Sequence, residues 1–144
     1  MILISHRGNT EGEDPEKENN PLYINNAIKK GFEVEIDVWY NSDIKQWFLG
    51  HDTPQYKVDV EYLMNPKLWC HAKNINALYE MLKRDIHCFW HQNDNYTITS
   101  NGFIWTYPEN KLTKKSICLH FKRKNVDYKN ICYGVCSDWI ETFR

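Results

Sequence analysis

Strand-like apolar runs alternate with helix-like segments over the first two thirds of the chain, the pattern of β/α units around a parallel sheet. Ile2 to His6 is a short apolar run, and Glu11 to Asn20 is a polar stretch that carries no core. Asn20 caps a helix with Pro21 at its first position, Ile24, Ala27 and Ile28 on one face, Lys29 and Lys30 at its end and Gly31 as its stop. Glu33 to Tyr40 then alternates, with Val34, Ile36 and Val38 on one side and Glu33, Glu35 and Asp37 on the other. That is a strand with a carboxylate face. Asn41-Ser42-Asp43 reads as a turn into Gln46 to Leu49, a hairpin that brings Gly50-His51-Asp52 back over the strand ends. Val58 to Met64 is predicted as a short helix ended by Asn65-Pro66, and Leu68 to Lys73 as a strand. Asn74 caps a helix whose Ile75, Leu78, Tyr79 and Leu82 form the stripe expected to cover the sheet. Beyond Arg84 strands crowd together at His87 to His91, Tyr96 to Thr99, Phe103 to Tyr107, Ser116 to Phe121 and Tyr133 to Cys136, with no comparably periodic helix.

Length and composition narrow the reading. A chain of 144 residues is expected to form a single domain, 1–144. Its 42% hydrophobic and 26% charged residues fit neither a disordered tail nor a membrane protein. Eighteen Lys and Arg against nineteen Asp and Glu leave a net charge of −1, with no general field to attract nucleic acid or anionic lipid. The start reaches His6 and Arg7 too soon for a signal-peptide apolar region, so the expected compartment is the cytoplasm. The five cysteines sit mostly in strand-like runs and read as buried, reduced thiols. Lys122-Arg123-Lys124 reads as a solvated turn.

Glu35 and Asp37 are two apart on a strand, so both project to one face about 7 Å apart and can converge on a divalent cation. The plainer alternative is a solvated strand face. His71 and Lys73 repeat the geometry on the next major strand, which would make one site of two neighbouring polar faces. His6-Arg7-Gly8 ends the first strand, where an Arg fork can grip a phosphate and Gly lets a ligand approach the backbone. His51 supplies a second imidazole, and two histidines either side of a phosphodiester can work as base and acid at neutral pH. His91-Gln92-Asn93-Asp94 and Trp105-Thr106-Tyr107-Pro108 end two further strands, where they can shape a polar substrate pocket with Trp105 or Tyr107 stacking on a sugar or base. The plainer reading has Trp90 and Trp105 filling the barrel and His91 satisfying a loop carbonyl.

The ordered set His6-Arg7-Gly8, Glu18-Asn19-Asn20, Glu35-Ile36-Asp37-Val38 and His51-Asp52 resembles the H-R-G, E-N-T, E-x-D-V and H-D series of the glycerophosphodiester phosphodiesterase family, within the superfamily of phosphatidylinositol-specific phospholipase C-like phosphodiesterases. It covers about Ile2 to Lys73; Gly134 to Asp138 is similar to the family's last strand with its terminal Asp. The resemblance implies a (β/α) barrel, a divalent metal held by acidic residues, and two histidines that cleave a phosphodiester with help from an adjacent substrate hydroxyl. It assigns His6 and His51 as the acid/base pair, Arg7 as a phosphate ligand, Glu35 and Asp37 as metal ligands, and Lys73 as the lysine of a later E-x-K motif. His71 stands where that motif has its glutamate, so the expected ion is magnesium, calcium or manganese, with imidazole favouring manganese.

A full (β/α)8 barrel takes about 250 residues. The expectation is therefore an α/β fold, a reduced or incompletely closed TIM-like barrel with about seven strands and few full helices, whose poorly covered outer face in the second half favours a homodimer. The expected function is metal-dependent phosphodiester hydrolysis on a small molecule, with His91 and Lys73 contacting substrate. The alternatives are a phospholipase D-like lyase of the same superfamily and a non-catalytic barrel that binds a phosphorylated ligand.

Overall fold

The computed structural model describes residues 1–123 and 126–144, so Lys124 of the expected basic turn lies outside the described residues. In chain order these form β1 (Ile2–His6), α1 (Pro21–Lys29), β2 (Glu33–Asn41), β3 (Gln46–Leu49), β4 (Tyr56–Val58), α2 (Val60–Leu63), β5 (Leu68–Ala72), α3 (Ile75–Leu82), β6 (Cys88–Phe89), β7 (Tyr96–Ile98), β8 (Ile104–Thr106), β9 (Ser116–Leu119), β10 (Gly134–Ser137) and a 3-10 helix over Ile140–Phe143.

Among the described residues, seven strands run parallel in the spatial order β6, β5, β2, β1, β10, β9, β8, and β7 adds antiparallel to β8. The far half of β2 leaves this curl and pairs antiparallel with β3, which pairs with β4. The result is a mixed α/β fold around a curled half-barrel, not a closed TIM barrel. The lack of closure has a local cause. Among the described residues no ladder joins β6 to β7 or β8. The backbone groups of Cys88 on the free edge of β6 are instead bonded to residue 100: Ser100 N donates to Cys88 O at 2.8 Å, and Cys88 N donates to Ser100 Oγ at 3.0 Å. A ladder to β8 has nothing left to bond there.

Three apolar layers position the strands. Inside the curl, Ile4, Trp69, Phe89, Trp105, Ile117, Leu119 and Cys136 pack together, drawn from six different strands. Outside its first half, Val34, Ile36 and Val38 of β2 and Leu68, Cys70 and Ala72 of β5 meet α1, α2 and α3. Outside its second half, Val135 and Cys118 are covered by Phe32, Cys132, Ile140 and Phe143. The C-terminal 3-10 helix thus covers apolar surface that the sequence left bare. Trp105 fills the interior as expected, whereas Trp90 packs on the outer layer with the helices. All five cysteines are free and buried.

Local chemistry explains the helices. Asn20 accepts from Leu22 N to cap α1, Pro21 takes the first position, and Ile24 and Ala27 are buried. At α3 the cap holds but the face differs. Ala77 and Met81 are buried, while Ile75 is 66% and Tyr79 60% exposed, so the expected Ile75, Leu78, Tyr79, Leu82 stripe does not cover the sheet. Asn74 sets this rotation. Its side chain accepts from Ala77 N at 2.9 Å while its amide donates to Tyr40 O at 2.9 Å, which docks the first turn against β2 with Ala77 inward. A side chain as small as Ala lets the helix approach closely. The predicted helix from Val58 begins only at Val60, because Tyr56–Val58 is recruited as the strand β4. Among the described residues, no helix is long and apolar enough to cross a membrane.

Candidate metal centre and cleft

The carboxylate face of β2 points into the curl. Glu35 and Asp37 are buried, not solvated, and His71 is directly opposite Asp37 in the β2–β5 register. Ligand atoms of Glu35, Asp37 and His71 all lie within 4.8 Å of one another. His71 Nδ1 is 3.2 Å from Asp37 Oδ1 and 3.6 Å from Glu35 Oε1. The His71 ring is stacked on Phe89, 5.0 Å away with an interplanar angle of 8°. Its other nitrogen, Nε2, lies 2.9 Å from the carbonyl oxygen of His91. A carbonyl only accepts, so Nε2 carries a proton and donates, and Nδ1 faces the two carboxylates. A bare lone pair there would oppose the lone pairs of two oxygens, Asp37 Oδ1 and Glu35 Oε1; either a proton or a cation resolves the conflict. Burial pulls the His71 pKa down, but the adjoining carboxylates of Asp37 and Glu35 outweigh it and raise it to about 9.

Two buried carboxylate oxygens, Glu35 Oε2 and Asp37 Oδ1, have no hydrogen-bond partner. Buried charged oxygens are ordinarily bonded, and these two belong to the same triad as His71. The donor set fits a divalent cation: two hard oxygens, one imidazole nitrogen, and open positions for other ligands. The other oxygen of Asp37 is occupied. Asn19 Nδ2 donates to Asp37 Oδ2 at 2.9 Å and Asn19 Oδ1 accepts from Asp37 N at 2.9 Å, while Arg7 Nε stands 3.0 Å from Oδ2. Burial pushes Asp37 up, yet the adjoining His71 imidazole and the charges of Arg7, His71 and Lys73 hold its carboxyl far below the usual range.

Around this group the strand ends supply the remaining side chains. Arg7 (φ 55) and Gly8 (φ 97) both adopt the left-handed region that turns the chain off β1. A Cβ at Gly8 would come within 2.7 Å of the Tyr23 ring, so only Gly fits that turn. Arg7 N bonds Glu35 O at 2.9 Å, and Arg7 O accepts from Asn19 N at 3.0 Å. Its guanidinium donates to Glu18 at 3.1 Å and flanks Asp37, so the Arg fork is directed at carboxylates. Lys73 Nζ is 3.7 Å from Asp37 Oδ1.

His6 is held by a residue on the other end of the chain. Its Nδ1 lies 2.8 Å from Asp138 Oδ1, and Nε2 lies 3.7 Å from Glu35 Oε2. Asn9 Nδ2 donates to both Asp138 and Glu18 at 2.8 Å, tying the network together. Burial lowers the His6 pKa, but the Asp138 hydrogen bond and the Glu35 charge leave it raised. His51 repeats the pattern in the open: its Nδ1 is 2.7 Å from Asp52 Oδ1, on the segment that the β2–β3 hairpin returns to the strand ends. Gly50 N bonds Asp37 O at 3.1 Å and Trp39 Nε1 donates to Gly50 O at 2.6 Å, which anchors that segment beside the carboxylates.

Every sequence-predicted site residue arrives at one place. His6, Arg7, Glu35, His51, His71, Lys73 and His91 line a cleft of about 330 Å³, with Asp37 beneath it. A second cleft of about 430 Å³ shares His6, Arg7 and His51 and continues past Glu13, Glu18, Asp52, Gln55 and Asp138. Sequence reasoning gave Asp138 no role beyond a motif match and passed over Asn9. The position of Asn9, immediately after His6-Arg7-Gly8, was the available signal for it. His91 does bond a loop carbonyl, with Nε2 2.7 Å from Asp94 O, and it also lines the cleft. Comparison with family models, with curated proteins and with solved structures finds no match.

Proposed function

We propose that the chain is a metal-dependent phosphodiester hydrolase similar to the glycerophosphodiester phosphodiesterases, its curled sheet a shortened TIM-like barrel. The observation that carries this reading is a pair of histidines on one cleft, each with Nδ1 against an aspartate, above a carboxylate group with two unpartnered oxygens. An aspartate on Nδ1 fixes the tautomer and leaves Nε2 as the proton-transfer atom. In His6 and His51 alike, that atom is the one available to substrate.

Glu35, Asp37 and His71 would hold magnesium, manganese or calcium, which when bound neutralises phosphate charge. Imidazole in the set favours manganese. Four carboxylates, Glu18, Glu35, Asp37 and Asp138, face one guanidinium and one ammonium, Arg7 and Lys73, leaving two negative charges in excess, of which a proton on His71 cancels one and a divalent cation both. A phosphate diester is repelled from such a site unless a cation intervenes. Lys73 then adds positive charge beside the phosphoryl oxygens. One histidine accepts the proton of the attacking hydroxyl through Nε2 as its O–P bond forms, and the other protonates the leaving oxygen as the opposite P–O bond breaks. A hydroxyl on the substrate itself gives a cyclic ester that water opens; release of that ester would mark the lyase alternative.

Turnover of a glycerophosphodiester such as glycerophosphocholine, which carries the neighbouring hydroxyl, with manganese tests the reading. We expect His6→Ala to lower the rate by about a hundredfold or more. No turnover by the natural chain with magnesium, manganese or calcium would leave the binding barrel as the better reading, which the exposure of His51 favours.

A further inference from the structure

We infer that the smaller cleft takes the planar ring of a small phosphate ester, from a nucleoside or an aryl alcohol. This deepens the phosphodiesterase reading and rests on it. One wall of the 330 Å³ cleft carries the carboxylate group, and the facing wall is aromatic. Tyr107, just past β8, lies parallel to His91, with ring centroids 5.5 Å apart at 11°. Phe121, just past β9, stands edge-on to Tyr107 at 6.3 Å and tilts against His6 at 5.3 Å. Trp105 and Leu119 close the wall from within.

This wall is held in place. His91 is pinned at Nε2 by the Asp94 carbonyl, and its own carbonyl accepts from His71. A hydrogen bond therefore joins the aromatic wall to the imidazole of the metal triad. Tyr107 is 46% exposed despite its stack on His91, so part of the ring remains open to a ligand. Aromatic rings prefer offset or edge partners, and a flat ligand ring laid on the exposed part of Tyr107, beside the edge-on Phe121, meets such a geometry. Gln92 lines the same cleft and is exposed, with an amide that can both donate and accept along the polar edge of a heterocycle. The volume is at the small end for ligand sites, enough for a ring and short for an acyl chain. A net charge of −1 offers no track for a polymer backbone, so the ring belongs to a small ester and not to a nucleic acid.

Calorimetric titration in the presence of manganese, with adenosine 5′-monophosphate, phenyl phosphate and glycerol 3-phosphate as probes, tests this. Both ring-bearing esters should bind about ten to a hundred times more tightly than glycerol 3-phosphate, the range that base stacking supplies. Tyr107→Ala should bring them down to the affinity of glycerol 3-phosphate. Tight binding of the nucleotide alone would support the nucleoside source and of both esters any planar ring. Equal affinity for all three overturns the ring assignment while the phosphodiesterase reading stands. No binding of any of the three removes both.

Discussion

The two halves of the curled sheet use their inward-facing positions differently. From β2 and β5 the interior receives Glu35, Asp37 and His71, whereas β6, β8 and β9 send in Phe89, Trp105, Ile117 and Leu119. Neither half makes a site alone. The apolar side excludes water and lowers the local dielectric, which strengthens every interaction among the charges opposite. The difference also shows in the histidines. His71, among carboxylates, is raised to about 9, while His87, beside Trp69 and Phe103, is lowered to about 4 by burial alone.

Trp105→Ala should have the largest effect on stability, a loss of about 3–5 kcal/mol in chemical denaturation, because the ring is buried where six strands meet. A loss below about 1 kcal/mol would mean that the second half is not the packed side. Within the polar half, two neighbouring carboxylates should separate. Asp37→Asn removes the charged partner of Arg7, Lys73 and His71 and should cost about 2–4 kcal/mol, since Arg7 keeps only Glu18 and Lys73 loses its carboxylate. Glu35→Gln, by contrast, removes a buried charge whose Oε2 is unpartnered and whose nearest cation, His71, stays beside Asp37, and should cost under about 1 kcal/mol in the metal-free fold. Equal losses in both variants would contradict the division of labour between them.

Acid should act on the apolar half through His87. Its ordinary value near 6.5 applies to the unfolded chain, and the folded value is about 4, so the unfolded chain binds the proton first. The stability contribution is complete above pH 6.5 and is lost as pH falls toward 4. Because the ring is only partly buried, the change should be about 1–2 kcal/mol. His87→Gln should flatten that part of the pH profile. The smallest effect belongs to α3: Ile75→Ser should change stability by less than about 0.5 kcal/mol, since that side chain is exposed.

What could be read in advance follows the same division. In the first half, caps, a period-two strand and a two-residue carboxylate spacing are local signals, and they located α1, the β2–β3 hairpin and the candidate residues from His6 to Lys73 that the fold brings to one cleft. Long-range partners were not legible. Asp138 reaches His6 only because β10 pairs with β1, and the cover over Val135 comes from Ile140 and Phe143 in a 3-10 helix without periodicity. The face of α3 was misread because Ile75, Leu78, Tyr79 and Leu82 keep a helical period, while Asn74 turns Ala77 and Met81 inward. Incomplete closure was legible from a chain too short for a full barrel, but the place where the sheet opens was not, since it depends on Ser100 occupying the backbone of Cys88.

The central claim is that Glu35, Asp37 and His71 form one cation site between the two halves. Titration of the metal-free protein with manganese by calorimetry tests it most directly, with Glu35→Gln as the paired variant because its fold should be unaffected. The account predicts one ion per chain and an affinity at least about a hundredfold weaker in the variant, beyond the loss typical of a residue that only supports a ligand. An unchanged affinity in Glu35→Gln, or no manganese bound by the natural chain, would contradict it.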